Sequence, residues 1–403
     1  MKVLAPWLRK ADNMSIISLD KEYVAGTYGR FPVELASGKG CILTGTDGKQ
    51  YIDLTSGIGV TSFGIADDAW VQAITAQAMK LQHSSNLFYT EPCAKLAQLL
   101  CQKTGMKKVF FCNSGAEANE CAIKVARKYS AEKKGADHYT VITLVNSFHG
   151  RTLTTLAATG QDHFHQYFQP LTPGFAYVEA NNTEMLAQAI ANTNPAAVML
   201  ECVQGEGGVN PLNKEFVTAA AAMCKEKDIP LIIDEVQTGN GRTGMLYSYM
   251  HFGIEPDIVS TAKGLGGGLP IGATLMSEKV QSVLGPGDHG STYGGNPVCC
   301  AGAYSIVERL DADLMEEVRR KSDYIFSTLS GAPGIESITG MGLMIGIQTV
   351  KPAKEVVNAC IEKGVLCLTA KTKVRLLPAL NIPMEQLQQA IETIKAVCKE
   401  DTQ

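Results

Sequence analysis

Between about residue 105 and residue 276 the chain alternates short β-branched apolar runs with stretches whose apolar residues recur at helical spacing. Val109–Cys112 reads as a buried strand that stops at Asn113-Ser114-Gly115. Beyond it Ala118, Ala122, Val125 and Tyr129 share one face, which predicts an amphipathic helix over 116–134. Further strands are predicted at Thr140–Val145, Ala196–Val203, Ile229–Val236, Asp257–Thr261 and Ile271–Met276, with a helix at Lys214–Lys227 between two of them. Such alternation predicts an α/β layer architecture around a mostly parallel sheet, whose ligands gather at the carboxyl ends of the strands.

The pattern changes in the last hundred residues. A long helical stretch, about 297–329, leads into strand-like runs at 342–350 and 365–369. A terminal helix follows, with Met384, Leu387, Ile391, Ile394 and Cys398 on one face. The expected division is an N-terminal segment, 1–50, that contributes to a small domain, a large ligand-binding domain, 51–296, and a small α+β domain, 297–403. No internal repeat or low-complexity linker is visible.

Composition narrows the function classes. Across 403 residues, 36 Lys and Arg stand against 40 Asp and Glu, a net charge of −4, and no basic run occurs. That balance argues against nucleic acid or an anionic membrane as a partner. Apolar runs such as Leu231-Ile232-Ile233 are far too short to span a bilayer. The N-terminus meets Arg9-Lys10 and Asp12 before a signal-peptide core forms. The 12 cysteines show no C-x-x-C spacing, so neither a disulfide framework nor a metal site is expected, and a reducing cytoplasm is.

Two strand ends carry the chemistry. Asp234 closes an apolar run, which places its carboxylate at the sheet edge. It can serve as a simple turn cap, or it can pair with a cation such as a protonated heterocyclic nitrogen. Lys263 also follows an apolar run and precedes a glycine-rich turn. Lysine is ordinarily a surface residue, but one desolvated here becomes an amine nucleophile suited to a Schiff base. An aspartate partner and a Schiff-base lysine are the two protein groups that pyridoxal phosphate requires.

A phosphate needs donors. Asn113-Ser114-Gly115-Ala116 sits at a strand-to-helix junction where free backbone N–H groups favour an anion, although Ser114 also makes an ordinary N-cap. The G-x-G-x-x-G match at 239–244 has no clear helix opening behind it, and no P-loop or G-x-S-x-G elbow is present. In Phe148-His149-Gly150-Arg151, Phe148 can cover a planar ring and Arg151 can fork onto a carboxylate. Taken alone, the pair is a core aromatic and a surface arginine. His163-Phe164-His165 is read as incidental, because no further ligand set accompanies it.

Together these segments resemble the class III aminotransferases, pyridoxal-phosphate enzymes of fold type I, and within them the acetylornithine aminotransferase family. The matching strings are FCNSGAEAN (111–119), FHGR (148–151), ECVQGEGG (201–208), DEVQTGNGRTG (234–244), TAKGLGGGLPIGA (261–273) and HGSTYGGNP (289–297), all in family order. RFPVELASGKG (30–40) and VRLLPAL (374–380) extend the likeness. The resemblance implies pyridoxal 5′-phosphate bound through a Schiff base on Lys263, with Asp234 against the pyridinium. Gln237 would meet the phenolic oxygen, with Glu235 beside it in the binding stretch. Gly115 and Ala116 would hold the phosphate, and Phe148 and Val236 would sandwich the ring. It also implies a homodimer in which Thr292 reaches the neighbouring subunit's phosphate.

The implied reaction is transamination of N2-acetyl-L-ornithine with 2-oxoglutarate, giving N-acetyl-L-glutamate 5-semialdehyde and L-glutamate. The resemblance assigns Arg151 to the carboxylate remote from the reacting carbon and Arg375 to glutamate's α-carboxylate. Glu206 would mask Arg375 when a substrate lacks that group; a structural ion pair is the plain alternative. Tyr28 and Ser291 are implied as minor substrate contacts. NSGAEANE follows the acetylornithine pattern, which succinylornithine enzymes share, so the acyl group stays open. Thr90-Glu91-Pro92 departs from the family, where Asn commonly precedes Glu-Pro. The alternatives are ornithine, γ-aminobutyrate or diaminopimelate-type aminotransferases, an aminomutase, and a non-catalytic cofactor-binding protein.

Overall fold

The computed structural model describes residues 15–399. The expectation drawn from Arg9-Lys10 and Asp12 lies outside the described residues, as do the two ends of the outer domains.

A seven-stranded sheet organises the large part of the chain. Its strands are β1 (Lys108–Cys112), β2 (Thr140–Leu144), β3 (Phe175–Val178), β4 (Pro195–Leu200), β5 (Leu231–Asp234), β6 (Ile258–Thr261) and β7 (Gly272–Met276), in spatial order β1-β7-β6-β5-β4-β2-β3. All neighbours run parallel except β7, which is antiparallel to both β6 and β1. The mostly parallel sheet is therefore as expected, with one reversed strand inside it.

Period-two alternation divides the sheet between two cores. Ala197, Met199, Ile232 and Ile258 pack against helix α1 (Gly115–Lys134) through Cys121, Ala122, Val125 and Tyr129. Val198, Leu200, Leu231, Ile233 and Val259 face the other way. There they meet Phe216, Val217 and Ala220 of helix α2 (Lys214–Glu226) and Cys300, Ala303 and Val307 of helix α3 (Pro297–Glu308). Burial on both faces is what makes these strands continuous apolar runs.

The predicted 297–329 helix is two helices, α3 and α4 (Ala312–Leu329). Asp311 breaks it by capping α4, its side chain accepting the Leu314 N–H at 2.9 Å. The strand-like 342–350 run is the second arm of a hairpin, Ile335–Met341 with Met344–Thr349. The 365–369 run divides between two sheets. Val365–Leu366 pairs parallel with Gln50–Asp53, and Leu368–Ala370 pairs antiparallel with Lys373–Leu376. Residues 41–54 thereby share a core with the C-terminal residues, including Leu387, Ile391 and Ile394 of the last helix, α5 (Met384–Lys399).

Candidate active site

β5 consists of Leu231, Ile232, Ile233 and Asp234, all buried, so its last carboxylate is delivered to the sheet edge with little contact with water. Asp234 Oδ2 accepts from Asn119 Nδ2 and from His149 Nδ1, each at 2.8 Å, and Oδ1 accepts the Val236 N–H at 2.9 Å. Burial alone would depress the His149 pKa; the Asp234 hydrogen bond and charge, helped by Glu201, raise it instead. Asn119 Nδ2 also donates to the His149 carbonyl at 2.8 Å, which fixes this cluster to α1.

The β5–β6 register pairs Asp234 with Ser260, so Lys263 emerges from the adjacent strand on the same edge. Its backbone is left-handed at φ +48°, an uncommon state for a lysine, and such strain concentrates where a side chain must be aimed. Burial drives its amine below the ordinary lysine pKa, while Glu206 and Asp234 oppose that shift. A desolvated amine of this kind is a nucleophile.

Between these strand ends lies a cavity of about 630 Å³, lined by Lys263, Asp234, Val236, Gln237, Phe148, Arg151, Tyr28 and the first residues of α1. At the α1 terminus the Glu117 N–H is met by Ser114 Oγ and the Ala118 N–H by the Ser114 carbonyl. The Gly115 and Ala116 N–H groups ahead of them have no protein acceptor among the described residues and are free to hold an anion. Gly115 must be glycine: a Cβ there would lie 2.5 Å from Val236 Cγ1.

Glu206 and Arg375 do not line the cavity themselves but meet Gln237, which does. Glu206 Oε1 accepts from Arg375 Nη1 at 2.5 Å and from Gln237 Nε2 at 3.3 Å, and Arg375 is buried. Burial raises the Glu206 pKa, but the charge and hydrogen bond of Arg375 outweigh it and hold the carboxyl below its usual range.

Three residues of the site are not singled out by the sequence pattern: His149, Asn119 and Glu201. Each lies inside a matched string, which is the available signal. Glu201 follows β4, is buried, and accepts the Phe148 N–H at 2.9 Å and the Gly205 N–H at 3.4 Å. Burial, with the Asp234 charge adding and His149 opposing, pushes its carboxyl up to about 7.

Other expected residues stand elsewhere. The Glu235 carboxylate is turned from the cavity and accepts from Thr238 Oγ1 and Ser248 Oγ at 2.6 Å and from the Tyr249 N–H at 2.9 Å. Ser291 and Thr292 line a separate hollow of about 520 Å³ beside Asn113, where Asn113 Nδ2 and Ser291 Oγ are 3.0 Å apart. Among the described residues no group of His, Cys, Asp and Glu could hold a metal ion, and no helix is long and apolar enough to cross a membrane.

Known proteins are similar to this chain along most of its length. The acetylornithine aminotransferase of Haemophilus ducreyi is 51% identical over 96% of this chain and 98% of its own, and that of Methanocaldococcus jannaschii is 43% identical over 95% and 98%. The crystal structure of N-acetylornithine aminotransferase from Stenotrophomonas maltophilia superposes with a TM-score of 0.80 at 34% identity, covering 95% of this chain and 98% of that one. An ornithine aminotransferase from Toxoplasma gondii, whose active site is partly occupied by pyridoxal phosphate, gives 0.90 at 32% identity, covering 95% and 93%. The family described as aminotransferase class-III matches residues 23–398, and the chain belongs to it.

Proposed function

We propose that the chain transfers the distal amine of N2-acetyl-L-ornithine to 2-oxoglutarate, giving N-acetyl-L-glutamate 5-semialdehyde and L-glutamate, as a pyridoxal-phosphate-dependent aminotransferase of arginine biosynthesis. The observation that carries this reading is the delivery of Lys263 and Asp234 to one cavity from adjacent parallel strands.

The residues present fit pyridoxal 5′-phosphate. Asp234 is a carboxylate with little contact with water, backed by three donors and matched to a pyridinium; the free N–H groups of Gly115 and Ala116 suit a phosphate, and Phe148 and Val236 offer apolar faces to a ring. Gln237 lines the cavity and would donate to the phenolic oxygen. When bound, the group supplies an electron sink that acidifies the substrate carbon bearing the amine. Lys263 Nζ, its charge suppressed by burial, would hold the group covalently and, once displaced by the incoming substrate amine, would take the proton from that carbon. Asp234, held by His149 and Asn119, would keep the ring nitrogen protonated.

The charged residues sort the two substrates. Arg151 takes the carboxylate remote from the reacting carbon in both. Arg375 takes the α-carboxylate of glutamate or 2-oxoglutarate. With acetylornithine, whose distal amine has no neighbouring carboxylate, Glu206 stays on Arg375 and cancels its charge. Tyr28, mostly exposed at the cavity mouth, is a further substrate contact.

The active unit in this reading is a homodimer sharing its sites across the interface, with Ser291 and Thr292 facing the partner's site. Exposed Tyr293 in the hollow beside Asn113, exposed Leu87 in the adjoining one that Ser291 and Thr292 also line, and its exposed neighbour Phe88 support it. The large domain of this reading lies within about 51–296, except that Tyr51, Ile52 and Leu54 pack in the small-domain core and α3 packs on the large sheet. Twelve free cysteines support a reducing cytoplasm. An amine-donor panel with 2-oxoglutarate tests the function: acetylornithine should give the highest kcat/KM. A clear preference for succinylornithine, ornithine, γ-aminobutyrate or diaminopimelate reassigns the donor, and turnover without 2-oxoglutarate indicates an aminomutase.

A further inference from the structure

We propose that Phe164 is a positioning residue for carboxylate recognition, holding the Arg151 guanidinium by its face so that its N–H fork is free for substrate. The proposal rests on the reading of Arg151 given above and deepens it.

The Phe148 and Phe164 rings stand at 73° to one another with centroids 6.1 Å apart, which makes a corner. The Arg151 guanidinium carbon sits in that corner, 4.0 Å from the Phe164 centroid and 5.4 Å from that of Phe148. Among the described residues Arg151 makes no ion pair and no hydrogen bond to protein, although Glu120 belongs to the neighbouring helix. The Glu120 carboxylate is engaged instead by Thr152 Oγ1 at 2.5 Å. An exposed arginine without a polar partner samples many rotamers. A cation–π contact selects one of them and uses none of the five donors.

The corner is built rather than incidental. Phe164 closes a short 3₁₀ turn, Asp162–Phe164, whose flanks are pinned. Gln161 Nε2 donates to the Ser147 carbonyl at 3.0 Å, and His165 Nε2 lies 2.8 Å from the Thr159 carbonyl and 2.9 Å from that of Leu156. His163 packs on Phe164 with centroids 3.8 Å apart. Because Phe148 also lines the cavity floor, the corner ties the Arg151 fork to the plane where chemistry occurs. It thereby sets the span between the reacting carbon and the remote carboxylate, which makes Phe164 a determinant of substrate length.

The test uses the cofactor-loaded enzyme and glutarate, an unreactive five-carbon dicarboxylate, measured by calorimetry alongside steady-state kinetics. Phe164→Leu keeps apolar bulk but removes the aromatic face. It should weaken glutarate roughly 3- to 10-fold and raise KM for both substrates by a similar factor, with kcat within about twofold of the parent. Phe164→Tyr, which keeps the face, should restore parent affinity, and Phe164→Met serves as a second non-aromatic variant. Arg151→Ala should abolish measurable glutarate binding. If Arg151→Ala loses glutarate while Phe164→Leu and Phe164→Met bind like the parent, or if Phe164→Tyr falls as far as they do, Phe164 is only packing. The functional reading then stands without it. If Arg151→Ala binds glutarate normally, the assignment of Arg151 fails and the proposal fails with it.

Discussion

Glu206 and Arg375, 169 residues apart in the chain, meet at 2.5 Å between Oε1 and Nη1, and Gln237 reaches both of them. Gln237 lines the reaction cavity, so the pair is joined to the site by a hydrogen bond rather than set apart from it. A buried guanidinium whose carboxylate partner is partly exposed can present its charge to one substrate and hide it from another only if that partner gives way, which is the role assigned to Glu206.

Removing the mask should therefore split the two half-reactions. Glu206→Ala leaves Arg375 free to hold an α-carboxylate, so reaction with glutamate should be spared or improved while reaction at the distal amine of acetylornithine falls. Arg375→Ala should do the reverse, and losing such a charged contact typically costs about 2–5 kcal/mol. Single-turnover kinetics of each half-reaction decide the matter; equal impairment of both halves by both variants would make the pair structural.

Asp234→Asn preserves shape and removes the charge that three donors now serve. The ring nitrogen then loses its reason to stay protonated, and both half-reactions should slow by on the order of 10²- to 10³-fold. Stopped-flow rates equal to the parent's would reduce Asp234 to a turn cap.

Much of this site is legible in the amino-acid sequence. Strands β4 and β5 are buried on both faces and read as apolar runs with a carboxylate at or just past the end, and the buried β6 opens with Ile258-Val259 two residues ahead of Ala262-Lys263, so Asp234 and Lys263 stand out for that reason. The reversal of β7 is not legible, because strand direction depends on partners and leaves no local mark. The break at Asp311 is hidden by apolar periodicity on both sides of it. His149 and Asn119 carry no local signal, because their partner Asp234 lies 85 and 115 residues away, a relationship no short pattern records.

Glu201 gives a pH signature. Its carboxyl titrates at about 7 in the fold, against a usual value near 4.5. Between those values the folded state binds more protons than the unfolded one, so this group makes the fold less stable as pH rises from about 4.5 to about 7, by on the order of 3 kcal/mol in all. Glu201→Gln removes that loss and leaves an acceptor for the Phe148 N–H. Thermal melts of the cofactor-free protein should show the Gln variant gaining on the parent between pH 5 and pH 8. A constant difference across that range would mean that Glu201 has an ordinary carboxylate pKa.

If Lys263 Nζ is both covalent anchor and proton carrier, removing its amine removes both functions at once. Lys263→Ala, loaded with pyridoxal phosphate and mixed with acetylornithine in a single-turnover experiment, tests this most directly. The visible absorbance of the lysine-bound cofactor should be absent, and amine transfer should fall to the uncatalysed background, on the order of 10⁴-fold or more below the parent. Near-normal transfer by that variant would show that Lys263 is neither anchor nor base.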